Sequence, residues 1–458
     1  MGLITTIKRW IGMLFKTKAE DVFNVQSISS AEMDAYISRC GAVYRGRPDW
    51  VDPDAGIKTI NFAKTITSET ARLTTLGVKI TIDGSARGEY LQRQLDNSYY
   101  LFRHWVEYGL SYGTAITKPN GDGLDVFTPA DFFVTAKDDD GEISGIVFCD
   151  RYEEGTKHYT RLEYHRYIKH EVGDEVFYPY IISNRAYVSQ SGRSIGDPIS
   201  LDQTRWAGLM EDTPPILKSD GGKIGVMFGV FRTPEANNID IGSPMGLPIF
   251  SAALEELKDL DVAYSRNAGE IYDSEKIILL DADTMTTAGS KARFTPEGLE
   301  ITRERMKLPH YVKNVQGNGR DMFYEEIVPT LNTEERIRDI NHLLSIIGFK
   351  CGYSNGYFVF DEKTGMVTAT QVEADDRRTI QLIKDCRDKL ESCLNGAIAA
   401  MSIYADLYGL APAGEYEVTY DFGDITYNRE EDRQRWWKYV QDGRVPAWLY
   451  FVKFEGLS

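Results

Sequence analysis

The chain has 458 residues and a formal net charge of −17, from 69 acidic and 52 basic side chains. This acidic balance disfavours a protein that grips nucleic acid by neutralising phosphates. Its hydrophobic content of 42% and charged content of 26% are typical of a globular protein, and its length predicts two to four packed regions. The five cysteines are odd in number and form no CxxC pair, which favours a reducing compartment over a disulfide framework.

The N-terminal stretch predicts an amphipathic helix. Its apolar face comprises Leu3, Ile4, Ile7, Trp10, Ile11, Leu14 and Phe15. Lys8 and Arg9 interrupt any signal-peptide core, and no apolar run approaches the ~20 residues that cross a bilayer. A basic amphipathic helix can lie on a membrane, and Met1-Gly2 with Thr6 formally fits a myristoylation pattern. We favour an end helix docked on a neighbouring subunit, without stable membrane association.

Helices are expected over most of residues 20–85, with Val78–Ile82 alternating as a strand. An aromatic-rich helix is predicted from Tyr90 to Tyr108. Strands over residues 145–150, 158–168 and 175–182 should then form an antiparallel meander with one wet face. Within it, His158, His165 and His170 lack cysteine or carboxylate partners at ligand spacing, so we interpret them as strand residues rather than metal ligands.

A long helix is predicted to open at Ser243, as its cap, and Pro244, as its first helical residue. Its apolar seam comprises Leu247, Phe250, Leu254, Leu257, Asp261, Tyr264, Ala268 and Ile271. Asp261 interrupts the seam, and a carboxylate at that position needs a partner or a wet interface. Alternatively the helix is rotated so that Leu260 takes its place.

Residues 329–401 read as two helices joined by an unusual loop. The first helix is predicted from Thr333 to its end at Gly348, and the second starts at Thr370 with Glu373 completing a capping box. The second carries a narrow apolar seam at Thr379, Ile383, Cys386, Leu390, Cys393 and Ala397. Such a seam is typical of a helix that packs lengthwise against other helices.

The intervening loop is rich in both glycine and aromatic residues. Exposed loops seldom combine the two, because the apolar area would remain in water. Two interpretations stay open. Residues 357–360 could form a β-hairpin turning at 363–365, or the loop could be mobile and meet a ligand or copies of itself.

Catalytic motifs are missing from the sequence. It has no P-loop, no Gly-x-Ser-x-Gly elbow and no zinc-type spacing. Its adjacent acidic pairs, such as Glu255-Glu256, diverge on a helix and do not converge on a substrate. We therefore expect no enzyme activity, no cofactor and no metal.

Four short motifs carry a family resemblance: residues 231–234 (Phe-Arg-Thr-Pro) with Asn237-Asn238, residues 242–244 (Gly-Ser-Pro) and residues 260–265 (Leu-Asp-Val-Ala-Tyr-Ser). In their order and spacing, together with the helix–loop–helix at 332–401, the chain resembles tailed-bacteriophage portal proteins, particularly those of siphophages of Gram-positive hosts. The resemblance spans nearly the whole chain. It implies an α+β portal fold with an α/β wing, long stem helices, a small α/β clip and a short or truncated helical crown.

The resemblance also implies domain boundaries. These are 1–240 for the N-terminal helix and wing, 241–273 for a stem helix, 274–323 for the clip, 324–348 for a second stem helix, 349–369 for the tunnel loop, 370–402 for a long helix beneath the wing, 403–430 for the wing return and 431–458 for the start of an incomplete crown.

Site residues follow from the same resemblance. The DNA-facing tunnel loop would present Lys350, Tyr353, Asn355, Tyr357, Phe358 and Lys363. The stem and subunit interface would use Leu254, Leu257, Asp261, Tyr264, Ile340 and Leu344.

The implied assembly is a ring of about twelve subunits at one capsid vertex. Double-stranded DNA would pass through it during packaging and ejection. Expected partners are the terminase large subunit, the head–tail connector or adaptor, the scaffold and the major capsid protein. The protein would be assembled in the host cytoplasm and reside in the virion.

Two other classes of function remain as alternatives. One is a membrane-associated or other structural assembly protein that uses the N-terminal helix. The other is a carbohydrate-active or carbohydrate-binding protein, suggested by the 27 tyrosines and seven tryptophans. It predicts aromatic side chains clustered on a sheet, whereas many here fall on predicted helices or in the loop.

Overall fold

The computed structural model describes residues 15–172, 175–192, 194–218, 220–273, 277–281, 290–295, 298–303, 312–315, 324–327, 333–359, 369–423, 436–441, 444, 446, 448 and 450. Helices and antiparallel sheets occupy largely separate parts of the sequence, so the expected α+β class is confirmed. The predicted amphipathic face of the N-terminus lies outside the described residues except for Phe15, as does most of the predicted crown.

Helices dominate the first described part of the chain. Residues 15–23 are helical (α1), and the bounds of the next helices are Ala31–Tyr44 (α2), Phe62–Thr74 (α3), Ala86–Ser98 (α4) and Phe102–Tyr112 (α5). Ser30 caps α2, because its hydroxyl accepts a hydrogen bond from the Met33 N–H. The single helix expected over 90–108 is wrong, since a 3-10 turn at Tyr99–Leu101 separates α4 from α5.

Eight of the first eleven strands belong to two antiparallel sheets. Their bounds are Lys79–Asp83 (β1), Thr114–Pro119 (β2), Leu124–Phe127 (β3), Phe132–Lys137 (β4), Ile143–Glu154 (β5), Lys157–Tyr167 (β6), His170–Val172 (β7), Glu175–Phe177 (β8), Tyr180–Ser189 (β9), Asp197–Ile199 (β10) and Gly229–Arg232 (β11). The larger sheet has the order β10-β9-β6-β5-β4, and a smaller one has the order β11-β2-β3. Strands β7 and β8 form a separate hairpin.

The antiparallel meander is confirmed for β5, β6 and β9, but its third strand spans Tyr180–Ser189 rather than 175–182, because Glu175–Phe177 pairs with β7 instead. The single wet face is wrong. On one face, Phe15 and Ala19 of α1 pack with Val147 and Leu162. On the other, Phe148 packs with the segments around β11. The central residues of β5 and β6 are therefore buried on both faces.

The long helix after the sheets begins later than the sequence indicated. It spans Leu254–Asp273 (α6) and follows a 3-10 turn at Ser251–Ala253. Residues 244–250 are irregular because they are tied elsewhere: the Thr233 hydroxyl donates a hydrogen bond to the Leu247 carbonyl, at 2.7 Å. A Cβ at Gly246 would lie 2.4 Å from the Gly113 carbonyl oxygen, so glycine is needed where these segments cross.

Five short strands follow α6, four within the predicted clip range 274–323 and the last at the start of the range 324–348, which was predicted to hold a second stem helix. They are Ile277–Asp281 (β12), Ser290–Thr295 (β13), Gly298–Arg303 (β14), Val312–Val315 (β15) and Tyr324–Ile327 (β16). Strand β12 lies between β15, to which it is parallel, and β16, to which it is antiparallel. Strands β13 and β14 form a hairpin.

Two further helices, Thr333–Lys350 (α7) and Ala369–Leu407 (α8), complete the helical layer. Helices α6 and α7 pack side by side, and Lys350 at the end of α7 contacts Glu256 at the start of α6, so they run antiparallel. Helix α8 packs so closely on β11 that a Cβ at Gly229 would lie 2.0 Å from the Cys393 carbonyl oxygen. Strand Glu417–Asp421 (β17) then returns to pair with β1. Apolar residues of α3, α5, α6, α7 and α8 share one core.

Candidate functional site

The described part of the predicted tunnel loop is a compact turn between α7 and α8. Helix α7 runs through Gly348 to Lys350, so the expected stop at Gly348 is wrong. The chain reverses instead at Gly352 and Gly356, whose φ angles of +86° and +78° favour glycine. Residues 351–359 contain turns and no strand, so the described part of the proposed hairpin is absent.

Tyr353 anchors this turn in the core. Its side chain is fully buried, and its hydroxyl lies 2.6 Å from the Thr70 hydroxyl of α3. The Ser354 N–H donates to the Thr379 hydroxyl of α8 at 2.9 Å. Tyr353 is thereby removed from the candidates for DNA contact, because no part of its ring reaches the surface.

Tyr357 and Phe358 form an aromatic group with Tyr353. The three ring centroids lie 4.7–4.9 Å apart. Phe358 also makes an edge-to-face contact with Phe62 at 5.2 Å, so it is held against α3. Tyr357 is 38% exposed and is the most exposed of the three, since Phe358 is only partly exposed and Tyr353 is buried.

The Tyr357 hydroxyl donates to Glu69 Oε1 at 2.7 Å. Glu69 also accepts two hydrogen bonds from Arg72, at 2.8 and 2.7 Å. These contacts, with Arg72 first, hold the pKa of Glu69 below its usual value. The exposed rim of the turn is therefore a tyrosine–carboxylate–guanidinium group rather than a bare apolar patch.

The polar residues predicted for the loop have different surroundings. Asn355 is exposed and accepts a hydrogen bond from Ser345. Lys350 Nζ lies 2.6 Å from Glu256 Oε1, so its charge is already balanced within the chain. Lys363 lies outside the described residues.

A cationic residue beside the turn escaped the sequence reasoning. Arg378 donates to the Phe349 carbonyl at 2.8 Å, and its guanidinium carbon lies 3.8 Å from the centroid of the Phe349 ring. Phe349 is 54% exposed. No local sequence pattern signals this contact, because Arg378 lies 29 positions after Phe349.

The predicted stem interface is mostly internal to the chain. Leu254, Leu257, Ile340 and Leu344 are buried in the shared core. Their burial within the chain removes them as candidates for contacts between copies, because α6 and α7 use their seams to pack on each other and on neighbouring helices. Tyr264 is 40% exposed and remains available.

Asp261 finds its partners within the chain. Its carboxylate accepts hydrogen bonds from Trp50 Nε1 at 2.8 Å and from the Ile60 N–H at 2.9 Å. Asp261 is only 3% exposed and Leu260 is buried beside it, so the partnered carboxylate is confirmed and the alternative, in which Leu260 replaces Asp261 in the seam, is wrong. Asp261 therefore fixes the 50–60 segment to α6 and does not line a wet interface.

The predicted seam of α8 is correct in its residues but too narrow. All six positions are buried, and so are Leu382, Leu394 and Ile398 between them. Helix α8 thus presents a broad face to several elements, including β2, β11, α3 and α4.

Sequence reasoning also missed a buried ion cluster at the centre of the large sheet. Glu163 accepts from Arg161 at 2.9 Å and contacts Lys118, while its other oxygen lies 2.8 Å from His165 Nε2. His165 Nδ1 lies 2.9 Å from the Tyr180 hydroxyl. Burial opposes ionisation of Glu163, but the neighbouring cations prevail and hold its pKa well below the usual value.

No protein-family model matches the sequence, and a search among curated proteins finds no match. Among the described residues, no helix combines the length and apolar character of a membrane span. Those residues also hold no group of three or more His, Cys, Asp or Glu side chains placed to bind a metal ion.

Proposed function

We propose that this chain is the subunit of a portal ring, a channel for double-stranded DNA at a capsid vertex. The observation that carries the proposal is the order of parts around α6, α7 and α8. An antiparallel helix pair encloses a small β-module at one end, and a compact aromatic turn leads from the other end into a 39-residue helix. This order matches the stem, clip, tunnel loop and long helix of the portal family that the sequence resembles.

The surroundings of the turn refine which side chains would face DNA. Tyr357 and Asn355 are exposed at its rim, and Phe349 with Arg378 forms a second exposed group next to it. Arginine stacked on an aromatic ring keeps its charge and its donors available to phosphate. The chain has a net charge of −17, so a few such cations would make brief contacts with DNA phosphates. The remaining acidic side chains would repel the DNA backbone and prevent it from adhering.

The same proposal keeps the implied partners. The terminase large subunit, the connector, the scaffold and the major capsid protein would dock on this ring, which would be assembled in the host cytoplasm and carried in the virion. The wing, clip, crown and tunnel-loop boundaries given above belong to this proposal.

Mass photometry of the purified protein tests the proposal, with negative-stain microscopy of any large species. We expect a closed particle of about twelve times 51.9 kDa with a central hole. A monomer would call for coexpression with the neighbouring capsid genes. Failure to form rings in that setting as well would refute the proposal.

A pair of variants makes the test specific to the stem. Tyr264 is 40% exposed on α6, so Tyr264→Glu should reduce the ring fraction by placing a charge in a subunit contact. Tyr100→Glu is the matched control, because Tyr100 is 73% exposed and lies between α4 and α5. Equal ring fractions for both variants would exclude this face of α6 from the interface.

The carbohydrate alternative receives no support from the large sheet. Of its aromatic cluster, Tyr159 and Trp206 are buried, the first stacked on Tyr152 and the second in edge-to-face contact with it. Tyr152 is partly exposed, but the Arg205 guanidinium lies 4.6 Å from the centroid of its ring. A sugar-binding platform requires exposed ring faces.

A further inference from the structure

The buried ion cluster of the large sheet continues into a relay of hydrogen bonds. The relay begins at Glu163 and runs through the imidazole of His165 to the hydroxyl of Tyr180 on β9. It ends at the Met227 N–H, which donates to the Tyr180 hydroxyl at 3.3 Å. The side chains of His165 and Tyr180 are both 0% exposed, so water cannot replace a bond that is lost there.

The protonation states fix the direction of each bond in the relay. Lys118 and Arg161 keep Glu163 ionised, because both cations contact its carboxylate. An ionised carboxylate can only accept, so the proton of the bond between Glu163 and His165 lies on Nε2. Burial lowers the pKa of His165, so at neutral pH the imidazole carries no second proton. Its Nδ1 is therefore an acceptor, and the Tyr180 hydroxyl donates to it at 2.9 Å.

Charged and titratable groups from five elements surround this relay. They are Lys118 of β2, Asp150 of β5, Arg161, Glu163 and Tyr167 of β6, Tyr180 of β9 and Tyr404 of α8. Segment 224–228 adds the ring of Phe228, whose centroid lies 5.8 Å from that of His165. A proton on His165 would place a further positive charge beside Lys118 and Arg161, and both oppose it.

A proton on His165 also changes what the Tyr180 hydroxyl must do. The proton binds Nδ1 and turns that atom from an acceptor into a donor. The hydroxyl would then have to accept from both Nδ1 and the Met227 N–H, and its own proton would have no acceptor within the described residues. One of the two bonds must therefore break. The bond to Met227 is the longer one, so we expect it to be lost.

We propose that the relay is an acid-sensitive latch, in which a proton on His165 releases segment 224–228 from β9. Met227 of this segment belongs to the apolar cluster that also holds Ala400 of α8. Release of the segment therefore loosens the second half of α8 from the large sheet. The closed form binds the proton less well than the open form, so the latch opens as the pH falls below about 6.5, the ordinary pKa of imidazole. This device does not depend on the portal proposal.

Hydrogen exchange of the Met227 amide in the full-length protein tests the latch. After correction for the intrinsic pH dependence of exchange, its protection should fall roughly three- to tenfold between about pH 7.5 and about pH 5.5. The Leu162 amide, in the middle of β6, is the reference for global unfolding and should be more protected at each pH. Equal protection of the two amides, or no change with pH at Met227, would overturn the proposal.

His165→Phe and His158→Phe form a matched pair of variants. The first keeps an aromatic ring but removes the titrating nitrogen, so Met227 protection should no longer change over this pH range. His158 lies on the same strand and bonds to Glu153 at 3.0 Å, but it is outside the relay. Its variant should keep the native pH dependence. Loss of the pH dependence in both variants, or in neither, would contradict the latch.

NMR of the ring nitrogens of His165 gives a second readout, which needs no variant at that position. In the native protein at about pH 7.5 we expect a proton on Nε2 and none on Nδ1. Tyr180→Phe removes the donor to Nδ1, which stabilises neutral imidazole, so this variant should raise the pKa of His165. A proton on Nδ1 in the native protein, or a lowered pKa in Tyr180→Phe, would refute the assigned direction of the relay.

Discussion

Replacing Glu163 by glutamine removes the one carboxylate that bridges Lys118, Arg161 and His165. The side chains of Glu163 and Lys118 are only 5% and 3% exposed, so water cannot compensate for the lost charge. Breaking a buried ion pair by removing one partner costs about 3–5 kcal/mol, because the other charge stays buried without its counterion. We expect a loss of unfolding free energy in that range for Glu163→Gln.

Equilibrium denaturation in urea, followed by circular dichroism, measures this loss. Glu153→Gln is the matched control, since Glu153 pairs with His158 on the same sheet but its side chain is 74% exposed. The control should change the free energy of unfolding by about 1 kcal/mol or less.

The double variant Lys118→Met with Glu163→Leu separates charge burial from packing. Replacing a buried pair by apolar residues is often nearly neutral, so the double variant should be more stable than Glu163→Gln alone. A cost below about 1 kcal/mol for Glu163→Gln, or a double variant at least as unstable as the single one, would refute the reasoning.

Three further predictions concern other parts of the core. Tyr353→Phe should cost about 1 kcal/mol in urea denaturation, because it removes the buried hydroxyl contact with Thr70 but leaves the ring in place. Gly229→Ala should cost about 1–3 kcal/mol or more, because its Cβ would collide with α8, whereas the control Gly225→Ala has open space. Burial lowers the pKa of His165, so its folded form binds fewer protons than the unfolded chain. The contribution of neutral His165 to the free energy of unfolding is complete above about pH 6.5 and is lost as the pH falls. A His165→Phe variant should therefore show a flatter decline in unfolding free energy between about pH 7 and 5.

Local periodicity predicted which elements form. The spacing of apolar residues located α7 and α8, and alternation located β5, β6 and β9. These signals succeeded because helix and strand periods decide which side chains share a face. The predicted helix start at Pro244 was wrong because a local cap signal does not report tertiary contacts. Here the contacts of residues 244–250 outweigh it.

The sequence could not predict what covers each face. The contact between Thr70 and Tyr353 joins residues 283 positions apart, and no local pattern reports it. The stem seam illustrates the same limit, since Leu344 reads equally well as a subunit contact and as a core residue. Apolar periodicity specifies burial, and only the packed structure specifies whether the partner is the same chain.

The contacts of the candidate turn constrain how a channel built from it could change diameter. Tyr353 and Tyr357 fasten the turn to α3, at Thr70 and Glu69 respectively. From α8, Arg387 donates to backbone carbonyls at the end of α3, including that of Thr74 at 3.2 Å. Helix α3 is thus bonded to the turn at Glu69 and Thr70 and to α8 at Thr74. A wider or narrower passage would therefore require these helices to move with the turn, which makes rotation of whole subunits the lower-cost route.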